Sequence, residues 1–205
     1  LQARDRLYRT GIFKTHRLNH PVISVGNLTL GGTGKTPLTI FLAEKMLERG
    51  FKPVVLSRGY RRTTRGTVIV SRGDGPLTPW QHAGDEPYLM ARRLAGKASV
   101  VVGESRHLAG LTAEREKLGD LFILDDGFQH RRIHRDLDVV LVDATNPFGF
   151  GHVLPRGLLR EPRAGLRRAH PHEEQELQLQ GAGARRVPVV RGAEADERVE
   201  GVAYL

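Results

Sequence analysis

A glycine-rich segment near the start of the chain carries residue types that bind phosphate groups. The run Gly31-Gly32-Thr33-Gly34-Lys35-Thr36 lies between an apolar stretch and a stretch with helical spacing. Glycines let successive backbone N–H groups face one anion, and the N-terminus of the following helix adds its positive dipole end. The Lys35 ammonium is expected to reach the β- and γ-phosphates of a nucleotide, and the Thr36 hydroxyl to ligate Mg²⁺. The segment therefore predicts a site for ATP with magnesium.

The segment departs from the strict phosphate-loop pattern at one position. Thr29 stands five residues before Gly34, where a further glycine is usual. The alternative is a plain glycine-rich turn between a strand and a helix. Because Gly-Lys-Thr opens a predicted helix and an acidic strand end lies downstream, nucleotide binding is the favoured interpretation.

A second segment offers carboxylates for the metal. The apolar run 121–124 is followed directly by Asp125 and Asp126. In P-loop proteins an Asp at the tip of such a strand holds the magnesium shell. Aspartate after a strand is also common turn chemistry, so this assignment depends on the phosphate loop. Together the two segments predict a metal site that includes Thr36, Asp125 and Asp126.

The elements that must position these residues follow an alternating pattern. Predicted helices begin at the glycine-rich turn and end at Gly50, run from 84–87 through Leu94, and span about 105–118. Predicted strands lie at 21–25, 53–57, 67–71, 99–102, 121–124 and 137–142. Continuously apolar strands that alternate with helices indicate a parallel sheet covered on both faces. The predicted fold class is α/β and P-loop NTPase-like, with a mostly parallel sheet, helices on both faces and the beginning of a smaller second lobe.

The composition divides the chain into three regions. Residues 1–19 form a basic lead segment; as an amphipathic helix it would face an anionic membrane, and an ordinary surface helix is the alternative. Residues 20–169 form the P-loop kinase domain. Residues 170–205 are polar at first and are predicted to begin the second lobe, with short strands at 187–190 and 199–205.

Charge and composition limit the classes of partner. The chain has 32 Lys and Arg against 23 Asp and Glu, a formal net charge of +9, which favours anionic partners. Aromatic residues make up only 6% and are not interleaved with the basic runs, so nucleic acid is a disfavoured partner. Cysteine is absent, which excludes disulfides and thiolate chemistry. No feature implies a protein partner.

Several further segments occur in a recognisable order between residues 20 and 168. They are 25–27, Leu56-Ser57-Arg58-Gly59-Tyr60, Gly84-Asp85-Glu86-Pro87, Asp125-Asp126-Gly127-Phe128-Gln129-His130, Leu154-Pro155-Arg156-Gly157 and Leu159-Arg160-Glu161-Pro162. With the phosphate loop they resemble the tetraacyldisaccharide 4'-kinase family, the lipid A kinases of Gram-negative bacteria.

The resemblance implies transfer of the γ-phosphoryl group of ATP to the 4'-hydroxyl of a tetraacyldisaccharide 1-phosphate, which gives lipid IVA in lipid A biosynthesis. It implies ATP and Mg²⁺ as cofactors, an acylated disaccharide phosphate as substrate and an anionic membrane surface as partner. The implied location is the cytoplasmic face of the bacterial inner membrane, peripheral or through an anchor absent from this chain.

The resemblance also assigns catalytic roles. Sugar hydroxyls are weak nucleophiles, and Asp85 matches the family's candidate general base. Its alternative is a helix N-cap. Lys35 and Arg106 would neutralise charge on the transferring group, although an arginine on the surface is the alternative for Arg106. His130 would position substrate or sense the γ-phosphate, or belong to a basic surface turn with 131–132.

Four further residues receive roles beside the substrate and the metal. Glu161 would add a carboxylate on the metal side. Gln129 would position substrate or sense the γ-phosphate. Arg160 would contact substrate and neutralise charge on the transferring group, and it has the same surface alternative as Arg106. Glu86 would contact substrate or assist with the metal, or only complement the helix dipole.

The chain also differs from the family. Family members are longer, with an N-terminal hydrophobic segment and a second lobe thought to supply a histidine partner for the catalytic Asp. No residue here matches that histidine, so the predicted base is Asp85 alone. The loop 148–151, Phe-Gly-Phe-Gly, would touch acyl chains or membrane, or be a glycine-hinged loop with two anchored phenylalanines.

The alternative function is a P-loop switch or partitioning ATPase. Such proteins share the Gly-Gly-x-Gly-Lys-Thr core, and they normally carry a signature lysine directly before the first glycine. This chain has Leu30 at that position. The difference favours the kinase.

Overall fold

The computed structural model describes residue 8, residues 13–31, 34–143 and 146–168, and three short strands near the C-terminus. The strands are β1 (Val22–Asn27), β2 (Pro53–Ser57), β3 (Val68–Ser71), β4 (Ser99–Val102), β5 (Leu121–Leu124), β6 (Leu137–Val142), β7 (Gln178–Leu179), β8 (Arg185–Arg186) and β9 (Val202–Tyr204). The helices are α1 (Lys35–Glu48), α2 (Trp80–Ala83), α3 (Asp85–Arg93) and α4 (Arg106–Arg115), and 3₁₀ turns lie at Gly149–Gly151 and Arg163–Arg168.

The main sheet has the order β3-β4-β2-β5-β1-β6-β9. Its neighbours pair in parallel, except that β3 runs antiparallel to β4 at one edge. Every residue of β1, β2, β4 and β5 is buried, as expected for parallel strands covered on both faces. The predicted α/β fold class with a mostly parallel sheet is confirmed.

The side chains of alternate strand residues pack into two separate hydrophobic cores. One core contains Val55 and Ile123 with residues of α1 and α3 such as Met46 and Met90. The other contains strand neighbours of opposite parity, such as Phe122, packed on α4. Because successive side chains of a strand point to opposite faces, helices lie on both sides and the sheet edge at the strand ends stays open for a site.

The strand register determines which residues meet at that edge. β5 lies between β1 and β2, and Leu124 pairs with both Ser24 and Leu56. The residues that follow Leu124 therefore emerge beside Ser57 and beside the turn that leads into α1.

Two details of the helices were not predicted. The polar stretch 72–83, rich in turn residues, ends in the short helix α2. The helix predicted to reach 118 ends at Arg115, because Lys117 adopts a left-handed φ of 52° and Leu118 N–H donates back to Ala113 O. This 6→1 bond is a standard helix termination.

Most of the two terminal regions lies outside the described residues. Residues 13–20 form no helix: His16 forms a bridge with Ile133, and Leu18 packs against Gly110 and the second core. The predicted strand 187–190 is undescribed, while β9 lies within 199–205 and pairs with β6 of the main sheet. The division of the chain into three regions stays a prediction. Within the described ranges, no helix combines the length and apolarity needed to cross a membrane.

Candidate functional site

The phosphate loop connects β1 to α1. Gly34 is the N-cap of α1 with a left-handed φ of 76°, a conformation that glycine adopts without a steric penalty. No described side chain caps the first turn of α1, which leaves its N–H groups available to an anion. Gly31 is exposed, and Gly32 and Thr33 fall outside the described residues.

The predicted lysine meets one of the predicted aspartates. Lys35 is the first residue of α1, and its ammonium lies 3.8 Å from a carboxylate oxygen of Asp126. Only 14% of the Lys35 side chain is exposed. Thr36 follows in the same turn. The first turn of α1 and the end of β5 therefore face each other, as nucleotide binding with a metal requires.

Asp125 is buried at the tip of β5. Ser57 Oγ donates to its carboxylate at 2.9 Å, and Thr39 Oγ1 does so at 3.5 Å. Burial raises the pKa of Asp125 to about 6, against the lowering effect of the Ser57 hydrogen bond. The neighbouring charges of Glu86 and Asp126 raise this pKa further. A cation placed beside this carboxylate would be strongly favoured, because burial penalises its uncompensated charge.

Asp126 is held by an arginine as well as by Lys35. Arg160 Nη1 donates to both Asp126 oxygens, at 3.0 and 2.9 Å. Asp126 has a left-handed φ of 48°, a conformation that aspartate tolerates better than most residues. The surface alternative does not apply to Arg160, because the structure places its guanidinium inside the site.

Gln129 connects the loop after β5 to Glu161. Its side-chain amide donates to Asn27 O at 2.8 Å and to Glu161 Oε1 at 3.2 Å. Glu161 is 4% exposed. His130 is partly buried, and its backbone N–H donates to Gly127 O at 2.7 Å. The structure thus brings Gln129 and Glu161 together, while substrate contact by Gln129 or His130 stays a prediction.

Arg106 is buried at the start of α4. It is 5% exposed, and its buried Nε has no hydrogen-bond partner among the described residues. Burial lowers the pKa of Arg106, as does the nearby charge of Arg58, while Asp125 and Asp126 raise it. The surface alternative is therefore wrong for Arg106. An unpaired buried cation is costly, so this position favours an anion.

Asp85 is not the N-cap of α3. The cap is Gly84, Asp85 is the first helical residue, and no described side chain bonds to the first-turn N–H groups. The capping alternative is therefore wrong. Asp85 is exposed, and the next residue, Glu86, is close enough to Asp125 to raise its pKa. Asp85 thus lies at the start of α3 next to Glu86, and its catalytic role stays a prediction.

The carboxylates fit a magnesium ion that is shared with phosphate oxygens. Mg²⁺ is usually held by one or two carboxylates together with phosphates and water, and Asp125 and Asp126 are two consecutive carboxylates beside Lys35. In the part of the chain that the structure describes, no three His, Asp or Glu side chains converge into a metal-binding group. A place for Glu161 in the metal shell stays a prediction.

Sequence reasoning missed two residues that hold Asp125. Ser57 lies within a segment of the resemblance, but no role was assigned to it, and Thr39 was not considered. The signal for Ser57 is its position at the end of a buried strand, since strand ends meet at one sheet edge. Thr39 lies four residues after Lys35, on the same face of α1.

The two phenylalanines of the loop 148–151 lie in different environments. Phe148 packs against a third cluster that contains Leu28 and Val140, and the Arg163 guanidinium lies 4.2 Å from its ring centroid. Phe150 is 75% exposed. Phe148 is therefore anchored and Phe150 is not, so the interpretation with two anchored phenylalanines is wrong for Phe150, and contact of the loop with acyl chains or membrane stays a prediction.

A phosphate loop between β1 and α1 faces acidic residues at the end of the adjacent strand, in a mostly parallel sheet. These features define a protein with the P-loop kinase fold. The family model of LpxK, tetraacyldisaccharide-1-P 4'-kinase, matches residues 1–189. The chain belongs to the tetraacyldisaccharide-1-P 4'-kinase family, which confirms the resemblance seen in the sequence.

Individual relatives agree with this assignment. A tetraacyldisaccharide 4'-kinase of Geobacter metallireducens is 49% identical over 170 residues, which cover 82% of this chain and 50% of the relative. One from an Anaeromyxobacter species is 51% identical over 167 residues, with 82% and 45% covered. The crystal structure of Aquifex aeolicus LpxK in complex with ATP is similar, with a TM-score of 0.75 and 46% identity, over 82% of this chain and 52% of that one. The chain spans about half the length of these relatives.

Proposed function

We propose that the protein containing this chain transfers the γ-phosphoryl group of ATP to the 4'-hydroxyl of a tetraacyldisaccharide 1-phosphate, giving lipid IVA and ADP. The observation that carries the proposal is the meeting of Lys35 with Asp126 beside Asp125, at the mouth of the phosphate loop. Family membership and the ATP complex of the Aquifex relative support the same reaction.

The site residues divide the work of phosphoryl transfer. Lys35 and the N–H groups at the start of α1 bind the β- and γ-phosphates. Asp125 and Asp126 would hold Mg²⁺, which when bound would neutralise charge on the phosphate oxygens. Arg106 and Arg160 place positive charge beside the γ-phosphoryl group, where it stabilises charge that spreads in the transition state.

Asp85 acts at the acceptor. Its carboxylate accepts the proton of the 4'-hydroxyl as the oxygen forms a bond to the γ-phosphorus, and the bond from that phosphorus to the β–γ bridging oxygen breaks. ADP leaves with the bridging oxygen. Because α3 begins at Asp85 without a cap bond to its side chain, the carboxylate is available for this role.

The proposed location is the cytoplasmic face of the bacterial inner membrane. An acylated acceptor lies in the bilayer, and the formal net charge of +9 favours an anionic surface. The exposed Phe150 adds an apolar group that would enter the interface.

The test supplies γ-labelled ATP, Mg²⁺ and tetraacyldisaccharide 1-phosphate in detergent micelles to the full-length protein. Label is expected on the lipid with the wild type and not with Lys35→Ala or Asp85→Ala. Label released only as free phosphate, with or without the acceptor, would exclude the kinase and favour the switch ATPase.

A further inference from the structure

A pocket outside the phosphate loop is lined by four arginines. It has a volume of about 420 Å³ and is formed by residues 58–65 together with Glu104. We call it the basic pocket. Four of its residues are arginines, at 58, 61, 62 and 65, against the single carboxylate of Glu104. The pocket therefore favours an anion.

One arginine of the basic pocket stabilises the structure of the pocket itself. Arg62 has 3% of its side chain exposed and pairs with Glu104 at 2.7 Å. Arg62 also donates to Gly66 O, and Glu104 accepts from Gly66 N at 3.1 Å. The one acidic charge is thus already engaged.

The other three arginines are exposed and without carboxylate partners. Among the described residues, no Asp or Glu lies within ion-pair distance of Arg58, Arg61 or Arg65. The Arg61 guanidinium lies 5.4 Å from the centroid of the exposed Tyr60 ring, which orients it. Guanidinium forks bind phosphate oxygens in pairs, so the free donors suit a phosphate monoester.

The basic pocket is fixed next to the proposed acceptor site. A Cβ on Gly84 would lie 2.9 Å from Tyr60 O, so the loop packs directly against the residue that precedes Asp85. Thr63 and Thr64 donate to carbonyls of α2, at 3.1 and 2.6 Å. The loop 58–65 begins directly after Ser57, whose hydroxyl donates a hydrogen bond to Asp125.

We infer that the basic pocket binds the phosphate that the acceptor already carries, and so orients its 4'-hydroxyl toward Asp85. The inference rests on the proposed function, in which the acceptor is a disaccharide with its 1-phosphate on one sugar and the reacting hydroxyl on the other. In the proposed function the γ-phosphate of ATP is bound by Lys35, Arg106 and Arg160, none of which lines the basic pocket. Arg58 of the pocket lies near Arg106. An acceptor held at both ends is positioned for attack, which lowers the entropy cost of the reaction.

The experiment compares two acceptors in neutral detergent micelles: tetraacyldisaccharide 1-phosphate and the same lipid without its phosphate. The full-length double variant Arg61→Gln/Arg65→Gln is expected to raise KM for the phosphorylated acceptor by about tenfold or more, with kcat and the KM for ATP nearly unchanged. On the dephosphorylated acceptor it should match the wild type. The control, Arg92→Gln/Arg93→Gln, removes two exposed arginines from the last turn of α3 and should change neither KM.

An equal rise in KM for both acceptors, or no rise, would overturn the inference. A third arm adds phosphatidylglycerol to the micelles. An effect of the double variant that appears with both acceptors, and only when phosphatidylglycerol is present, would assign the pocket to phospholipid headgroups and would also overturn it.

A binding measurement separates this inference from the proposed function. Should neither acceptor be phosphorylated, the function fails, and ³¹P NMR titration of the full-length protein with glucosamine 1-phosphate still tests the pocket. Binding that the Arg61→Gln/Arg65→Gln variant loses and the Arg92→Gln/Arg93→Gln variant keeps supports the inference. Absent binding, or binding that both variants keep, contradicts it.

Discussion

The Lys35 ammonium lies 3.8 Å from Asp126, and the Arg160 guanidinium holds the same carboxylate at 3.0 and 2.9 Å. Asp126 therefore brings two cations, from distant parts of the chain, to the mouth of the phosphate loop. We expect a nucleotide to draw both cations toward its phosphate oxygens and to leave Asp126 for the metal.

Replacing Arg160 with lysine tests whether a guanidinium is needed at this position beyond its charge. One nitrogen, Nη1, contacts both Asp126 oxygens, and lysine keeps one charged nitrogen but loses the other guanidinium donors, which we expect to bind phosphate oxygens of the nucleotide. Arg160→Lys is therefore expected to lower kcat/KM by about tenfold or more. The measurement is steady-state kinase activity of the full-length protein. The control is Arg156→Lys, at an exposed arginine four residues earlier in the chain. Equal activity of both variants would show that only charge matters at this position.

Removing the buried charge of Asp125 is expected to stabilise the fold and abolish activity. The pKa of Asp125 in the folded protein, about 6, lies above the ordinary value of 3.8. The protonated carboxyl therefore contributes stability to the fold. This contribution is complete below about pH 4 and is lost as the pH rises through about 6. Asp125→Asn should therefore raise the free energy of unfolding at about pH 8, on the order of 2 kcal/mol, and change it little at about pH 4. Urea unfolding without nucleotide and with EDTA measures this.

The control for that prediction is Asp74→Asn, at an exposed aspartate. It should not change the free energy of unfolding at either pH. A gain for Asp125→Asn of equal size at both values would mean that burial of the charge is not its cause.

Asp85→Asn is expected to separate catalysis from nucleotide binding. The carboxylate is exposed and makes no cap bond, so neither the thermal unfolding midpoint nor the Kd for ATP should change. Loss of the base should lower kcat by about 100-fold or more. A parallel weakening of ATP binding would place Asp85 at the nucleotide instead of at the acceptor.

The elements and the nucleotide site were predictable because local patterns determine them. The bounds of β4, β5 and β6 match the predicted strands, since each apolar run is bordered by residues that end it. Lys35 and Asp126 were predicted at one site because a strand-to-helix turn and a strand tip share the carboxyl edge of a parallel sheet.

The contacts that tune the site were not predictable from local patterns. The Ser57 hydrogen bond to Asp125 depends on β2 pairing with β5, and strand order is not encoded in any one segment. Arg106 is polar by type, and only the packing of α4 shows that it is buried. Likewise, Asp85 beside Glu-Pro suggested a cap, and the backbone at Gly84 was needed to place the cap there.

Binding of Mg²⁺·ATP at equilibrium tests the central claim, that the start of α1 and its lysine grip the polyphosphate of a nucleotide. The Lys35→Ala variant is compared with Lys45→Ala, which removes a partly exposed lysine of the same helix that pairs with Glu48. Calorimetric titration is predicted to give a Kd about 100-fold weaker for Lys35→Ala, and an unchanged Kd for Lys45→Ala. Binding by Lys35→Ala as tight as that of the wild type would contradict the account.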